Sequence, residues 1–293
     1  MGATASGKSA LALSLASADD AWELVSVDSM QVYRGMDIGT AKPTDIEQAA
    51  VPHHLIDLLD PWEDGTVAWF QRTARSVIEG IEARGGRALL VGGTGLYLQA
   101  VVDDLDIPGQ YPGARAALDD EPDTAALHGR LVELDPVAAS RLDAGNRRRI
   151  VRALEVTVGS GRPFSSYGPG MDAHPASAFT LVGITRTSED LSARINTRFA
   201  EQMASGFLDE VRTLHAHPRG VSRTARQGLG YKELAAHLAG DVSLDAAVEL
   251  AIARTRRFAR RQRGWFGRDP RIQWLDGATD HNRLVTSLAA AVG

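Results

Sequence analysis

The chain contains no cysteine in its 293 residues. Disulfide staples and thiolate metal sites are therefore excluded, and stability must come from burial and hydrogen bonding. Lysine is nearly as scarce. Of 32 basic residues only Lys8, Lys42 and Lys232 are lysines; all the others are arginines. Where arginine is the default cation, a retained lysine is expected to mark a place that suits a compact ammonium better than a planar guanidinium. No apolar run is long enough to span a bilayer, and no segment has the character of a signal peptide. The expected compartment is the cytoplasm, with no membrane partner.

A one-sided positive charge is also missing. The formal net charge is -5, which argues weakly against nucleic-acid binding. The charge is segregated, however, and a polyanion needs only a local basic patch. Acidic residues crowd 103–135. Arginines gather at Arg147, Arg148, Arg149 and Arg152, and again from Arg254 to Arg263. Either cluster alone reads equally as a solvated helix face.

What is present is an ordinary globular composition, 44% hydrophobic and 24% charged, enough for one large domain or a core with an insertion. Residues 23–27 and 87–91 read as short buried strands. Helical spacing of apolar residues runs over 8–17 and 69–84, the latter stopped by Gly85-Gly86. Strands alternating with helices predict an α/β fold, a parallel sheet covered by helices on both faces. Residues 103–113 read as a linker, and the stretch after them is helical to about residue 161. A loop-rich tract then leads to a strand-like segment at 178–184. Helices are expected over 191–215, 232–238 and 244–265, and a last strand over 271–275. The resulting organisation is a core of 1–109 and 176–293 with a helical insertion at 110–175.

Gly2-Ala3-Thr4-Ala5-Ser6-Gly7-Lys8-Ser9 matches G-x-x-x-x-G-K-[ST] at every fixed position. Glycines let successive amides curl around phosphate oxygens, and the helix that follows adds its positive end. Lys8 is expected on the phosphates and Ser9 on a magnesium ion. Such a loop ordinarily follows a central strand, for which no residues precede Gly2. The sequence is therefore expected to lack roughly six to ten residues upstream, a strand of usual length. Hydrolases and kinases of this class usually carry an acid at a second strand end, but Val91 is followed by Gly92-Gly93-Thr94. That turn reads either as phosphate-binding or as a tight strand–helix connection. The acid stands instead at Asp28, after strand 23–27, where open α/β sheets bind ligands and a carboxylate can accept a proton.

Several longer stretches now converge: 2–9, Val27-Asp-Ser-Met-Gln-Val-Tyr-Arg-Gly-Met-Asp-Ile-Gly-Thr-Ala-Lys-Pro43, Pro52-His-His-Leu-Ile-Asp57, Val91-Gly-Gly-Thr-Gly-Leu-Tyr97, Arg148-Arg-Ile-Val-Arg-Ala-Leu-Glu-Val156, Leu229-Gly-Tyr-Lys-Glu233 and Thr255-Arg-Arg-Phe-Ala-Arg-Arg-Gln262. Together they resemble the bacterial tRNA dimethylallyltransferases, also called tRNA isopentenyltransferases, nearly end to end. The 27–43 stretch is highly specific.

The resemblance implies a P-loop NTPase-like fold with a helical insertion that contacts tRNA. It implies transfer of a dimethylallyl group from dimethylallyl diphosphate to the exocyclic N6 amine of adenosine 37, just 3′ of the anticodon, in tRNAs that read codons starting with U. The loop would hold the prenyl diphosphate with Mg²⁺, not ATP, and the base would be flipped into a channel. By the same resemblance Asp28 would guide the amine, and Lys8 and the 2–9 amides would hold the leaving diphosphate. Ser29, Met30 and Gln31 would line the base pocket. Thr94, Arg115, Arg148, Arg149, Ile150, Val151 and Arg152 fall at tRNA-binding positions, and Arg254, Arg257 and Arg261 form a stripe suited to phosphates. Gln227 stands where some members have a diphosphate-facing arginine, so either Gln227 or its neighbour Arg226 would serve there. A monomer is expected.

The competing readings are an isopentenyltransferase acting on free AMP and, more remotely, an ATP-dependent P-loop kinase. His53-His54 is expected to be structural, since adjacent histidines rarely ligate one ion. Phe258 and Trp265, seven apart on one helix, are expected in the core.

Overall fold

The computed structural model describes residues 1–293 and divides into two compact units, 1–102 with 176–293, and 103–175.

The first unit is built in βα order. Helix α1 (Lys8–Ala16) leads to strand β1 (Trp22–Val27), then α2 (Asp45–Ala50), β2 (His53–His54), α3 (Val67–Ala83), β3 (Arg87–Gly92) and α4 (Gly95–Val102). The three strands form a parallel sheet in the order β2-β1-β3. All six residues of β1 are buried, as expected of a parallel strand covered on both faces. Its one charged residue, Glu23, is fully engaged. Arg84 Nε and Nη2 donate to its two oxygens at 2.8 and 2.5 Å, and His54 Nε2 lies 2.6 Å from Oε2. The Arg84 guanidinium holds this carboxyl below its usual range despite burial. His54 is thus a structural partner, while His53 Nδ1 bonds to Val51 O at 2.8 Å. On α3, Phe70, Ala74, Ile78 and Ile81 line the buried face at helical spacing. The Thr66 side chain caps its start by accepting from Trp69 N at 3.1 Å.

The second unit contains α5 (Pro112–Asp119), α6 (Thr124–Leu134), α7 (Pro136–Arg141) and α8 (Arg147–Ser160). Its separate core is formed by Leu118, Leu127, Leu131, Ile150 and Leu154. Asp135 links two of its turns. Its carboxylate caps α7 through Ala138 N at 3.0 Å and also accepts from the amide and hydroxyl of Ser165, both at 2.7 Å.

The chain returns to the first unit with β4 (Val182–Thr185), α9 (Ser188–Ala204), α10 (Phe207–Ala216), α11 (Tyr231–Leu238), α12 (Leu244–Phe266), β5 (Gln273–Asp276) and α13 (His281–Val292). β4 and β5 pair in parallel as a second small sheet. Gly2 forms one parallel bridge to Ile184, and Ile184 N donates to Met1 O at 3.0 Å. A groove of about 350 Å³, lined by Leu11, Leu89, Val91, Val182 and Leu288 among others, runs along this part of the sheet.

Several details depart from the sequence reading. The strand expected over 178–184 lies at 182–185, and β2 at 53–54 has no counterpart in that reading. The helix expected over 191–215 is two helices, because Gly206 stands between them at φ +97°. The last strand lies at 273–276, two residues beyond its expected start. Helices α2 and α13 were not anticipated.

Gly206→Ala should lower stability by about 1–2 kcal/mol, the usual cost of a left-handed alanine. Urea denaturation of the two proteins measures this, and an unchanged midpoint would mean the break does not depend on glycine.

Candidate active site

Three contacts from other elements hold the Gly2–Ser9 loop. Arg186 Nε donates to Ser6 O at 2.8 Å, Arg194 Nε donates to Ala5 O at 2.7 Å, and Thr4 N donates to Gln262 Oε1 at 2.8 Å. Ala5 (φ +63°) and Gly7 (φ +98°) are left-handed, which turns the chain sharply into α1. Gly7, the N-cap, supplies no side-chain acceptor, so the first amides of α1 remain open to an anion. Ala5, Gly7, Lys8 and Ser9 line a cavity of about 1050 Å³.

The electrostatics of this cavity centre on three residues. Burial pushes the Lys8 ammonium down to about 8; attraction to Asp28 opposes this, and repulsion from Arg198 adds to it. Burial likewise lowers Arg198, opposed by Asp28 and Glu201. Both desolvated cations thus face Asp28, and burial still outweighs the attraction of the carboxylates at each, a setting that favours a bound polyanion.

Asp28 is the first residue beyond β1. Its Oδ1 accepts from Met30 N at 2.9 Å, a local turn that fixes the side chain and leaves Oδ2 without a hydrogen bond inside the protein. Ser29 N donates to Thr94 Oγ1 at 3.2 Å, tying the turn after β1 to the turn after β3. Gln31 accepts from Ser26 Oγ at 2.7 Å and donates to Thr40 O and Ala41 O at 3.2 and 3.1 Å. Segment 39–41 is another wall of the cavity. Glu210 clamps it by accepting from the amides of Asp37, Ile38 and Gly39 at 2.8, 2.6 and 3.1 Å and from Tyr231 Oη at 2.6 Å. The buried Lys42 ammonium donates to Tyr33 O at 2.9 Å, to Asp57 at 2.6 Å and to Asp37. A guanidinium has no such compact three-way geometry, which accounts for a lysine at this position. Lys232, by contrast, is exposed, and nothing in the structure explains why it is a lysine.

The cavity brings together Asp28, Ser29, Met30, Gln31, Thr94, Gln227, Arg254, Arg257 and Arg261 with the loop. Arg254 is ion-paired with the buried Glu233, whereas Arg257 and Arg261 are exposed. Arg226 is not among the lining residues; its Nε donates to Val221 O at 2.9 Å. Phe258, expected in the core, lines the cavity instead, beneath the Arg261 guanidinium at 5.6 Å. Trp265 does pack against the core.

In the second unit Arg148 and Arg149 are exposed. Ile150 and Val151 are 0% and 1% exposed, so their side chains are packed in that unit's core. Arg152 is occupied by Glu155 and Pro108 O, both at 2.8 Å. Arg115 pairs with Asp119 at 2.9 Å and Glu155 at 3.7 Å.

The sequence reading missed Arg194, Arg198 and Gln262. The two arginines are four apart on α9 and so share a helix face, a signal that was available. Gln262 gave none, because a glutamine among arginines reads as solvent-facing.

A helix-covered parallel sheet, a phosphate-type loop opening on a cationic cavity and a carboxylate at the neighbouring strand end define a P-loop NTPase-like enzyme of group transfer. The chain belongs to the IPP transferase family, whose model matches residues 31–269. It is 45% identical to a tRNA dimethylallyltransferase of Streptomyces coelicolor, over 98% of this chain and 94% of that protein. It is 46% identical to one from a Nocardioides species, over 100% and 95%. Among solved structures it resembles a tRNA isopentenylpyrophosphate transferase from Staphylococcus epidermidis (TM-score 0.72, 31% identity, 99% of this chain and 96% of that one). It also resembles a eukaryotic dimethylallyltransferase acting on tRNA (TM-score 0.79, 26% identity, 99% and 76%).

Lys8 gives a prediction of definite sign. Its folded value of about 8 lies below the ordinary 10.5, so between these values the folded protein sheds a proton that the unfolded chain keeps. Lys8 therefore costs stability below pH 8, and the cost is relieved as pH rises towards 10.5. Lys8→Met should raise the melting temperature of the ligand-free protein at pH 7 and abolish the further rise produced by pyrophosphate. In the native protein pyrophosphate affinity should fall as pH rises through about 8, as titration calorimetry would show.

Proposed function

We propose that the chain transfers a dimethylallyl group from dimethylallyl diphosphate to the N6 amine of adenosine 37 in tRNAs reading codons that start with U, releasing diphosphate. The observation that carries this reading is the meeting of Lys8, Arg198 and Asp28 at one cavity. Its volume of about 1050 Å³ leaves room for a base beside a small phosphorylated donor, since a typical small-molecule pocket is about 300–1,000 Å³.

The loop amides, Lys8 and Arg198 hold the diphosphate and stabilise the negative charge that grows as the allylic C–O bond breaks. The free Oδ2 of Asp28 receives a hydrogen bond from the attacking amine, orients it towards the allylic carbon and takes the proton as the C–N bond forms. The products are the N6-dimethylallyl adenosine, diphosphate and one proton. An exocyclic amine is a weak nucleophile, so positioning carries much of the acceleration.

Ser9 lies on the same cavity wall, exposed and next to Lys8, and its hydroxyl suits a hard cation shared with phosphate oxygens. Mg²⁺ held there would neutralise charge on the departing diphosphate. Gln227, on the cavity wall, is the better placed of the 226–227 pair to meet the donor. Arg257 and Arg261 supply exposed charge for the RNA backbone, and Arg148 and Arg149 supply it on the second unit. The AMP-specific alternative gives no use for that second exposed pair, and a kinase would lack an acid at the end of β3.

Asp28→Ala should reduce turnover about 10²–10⁴-fold, the usual contribution of a general base, with anticodon stem-loop affinity kept. Unchanged turnover would remove Asp28 from the chemistry. Arg148→Ala should weaken stem-loop binding and reduce the slope of log K against log salt by about 1, leaving pyrophosphate affinity intact. Nucleoside mass analysis after incubation with donor, Mg²⁺ and either unmodified tRNA or AMP tests the reading itself; prenylation of AMP alone would overturn it.

A further inference from the structure

We propose that Gln262 is the positioning residue of the diphosphate loop, holding it open through a buried carboxamide that joins the loop to the helix carrying the cavity arginines. The proposal rests on the reading that the loop binds the donor's diphosphate.

Gln262 is only 6% exposed, in the middle of an arginine-rich stretch of α12. Both ends of its carboxamide are used. Oε1 accepts from Thr4 N at 2.8 Å, and Nε2 donates to Gly93 O at 2.8 Å. The first contact reaches into the loop itself. The second reaches the turn whose next residue, Thr94, accepts from Ser29 N at 3.2 Å, beside Asp28. One side chain therefore spans the donor loop, the turn after β3 and, through Thr94, the turn that carries the carboxylate.

The space around it is closed. A Cβ at position 93 would come within 2.4 Å of Gln262 Nε2 and 3.1 Å of Gly2 O, so a glycine is needed there for the amide to fit. The chemistry is equally restrictive, because the site presents one N–H and one C=O. A carboxamide satisfies both, whereas a carboxylate accepts but cannot donate, and an ammonium donates but cannot accept. The Thr4 amide spent on this bond is withdrawn from the anion cradle. Ala5, the next residue, is left-handed, so the bond anchors the loop at the point where it turns towards Lys8. On the same helix Arg257, Arg261 and Gln262 all line the cavity, and Gln262 is also buried, with Ala259 and Phe266. The helix thus supplies the cavity with exposed charge and with the carboxamide that grips the loop.

The test compares Gln262→Met, which keeps shape but loses both hydrogen bonds, with Gln262→Glu, which keeps the acceptor and adds a negative charge next to the anion site. The readouts are pyrophosphate affinity by calorimetry, kcat, the KM values for donor and tRNA, and melting temperature. Pyrophosphate affinity is expected to fall at least tenfold in Gln262→Met and further in Gln262→Glu, with donor KM rising in the same order and tRNA KM within twofold of the native value. A residue that merely supports the fold would instead lower melting temperature without separating the donor and tRNA constants. Pyrophosphate affinity within twofold of native in Gln262→Met, or donor and tRNA KM values rising together, would overturn the proposal. So would failure of both variants to fold. Pyrophosphate binding is read without any transfer reaction. A native protein that binds pyrophosphate through this loop but prenylates no acceptor would overturn the functional reading and leave the role of Gln262 standing.

Discussion

The site depends on a charge imbalance kept away from water. Lys8 and Arg198 are both desolvated, and both are attracted to Asp28, with Glu201 a further partner of Arg198. Removing cations from water is costly unless an opposite charge compensates, and here compensation is incomplete. A bound polyanion would complete it. The same imbalance that weakens the empty protein therefore favours the ligand, and the surrounding structure serves to keep the imbalance in place.

That task falls to hydrogen bonds from distant parts of the chain. Arg186 and Arg194 occupy loop carbonyls, Gln262 occupies a loop amide, and Glu210 gathers three successive amides and a tyrosine hydroxyl on another wall. Apart from Tyr231 and Glu210, 21 positions apart, the partners lie some 170–260 positions from one another along the chain. Irregular backbone at a cavity needs such partners, because it has no ladder or helix to satisfy its polar groups. The site is consequently a set of loops made rigid by helices α9, α10 and α12.

Much of this was legible beforehand where the signal is local. The loop at 2–9, the buried strand ending just before Asp28 and the turn at Gly92-Gly93-Thr94 all depend on residues adjacent in sequence, and all three meet at the cavity. Reading failed where identity had to be converted into direction. Arg148 and Ile150 sit two apart in one motif, yet the first is exposed and the second is in a core; adjacent motif positions on a helix cannot share a face. Aromatic residues at helical spacing usually face a core, yet Phe258 faces the cavity beneath Arg261. Apolar spacing persists through Gly206 and so predicts one helix over 191–215, because spacing does not reveal a left-handed φ.

The sequence alone determined that a phosphate-type loop opens a helix, that an acid follows the next strand, and that arginine is the default cation, with lysine kept at Lys8 and Lys42, where a small ammonium has a use. These are consequences of short-range backbone geometry and side-chain chemistry, which adjacent residues carry with them. Tertiary structure alone decided that Gln262 would be inside and Arg261 outside, that Arg198 would join Lys8 over Asp28, and that Arg226 would turn away while Gln227 lines the cavity. Those outcomes depend on which face of each helix meets the loop, a choice settled by packing and by the demand that every buried polar group find a partner.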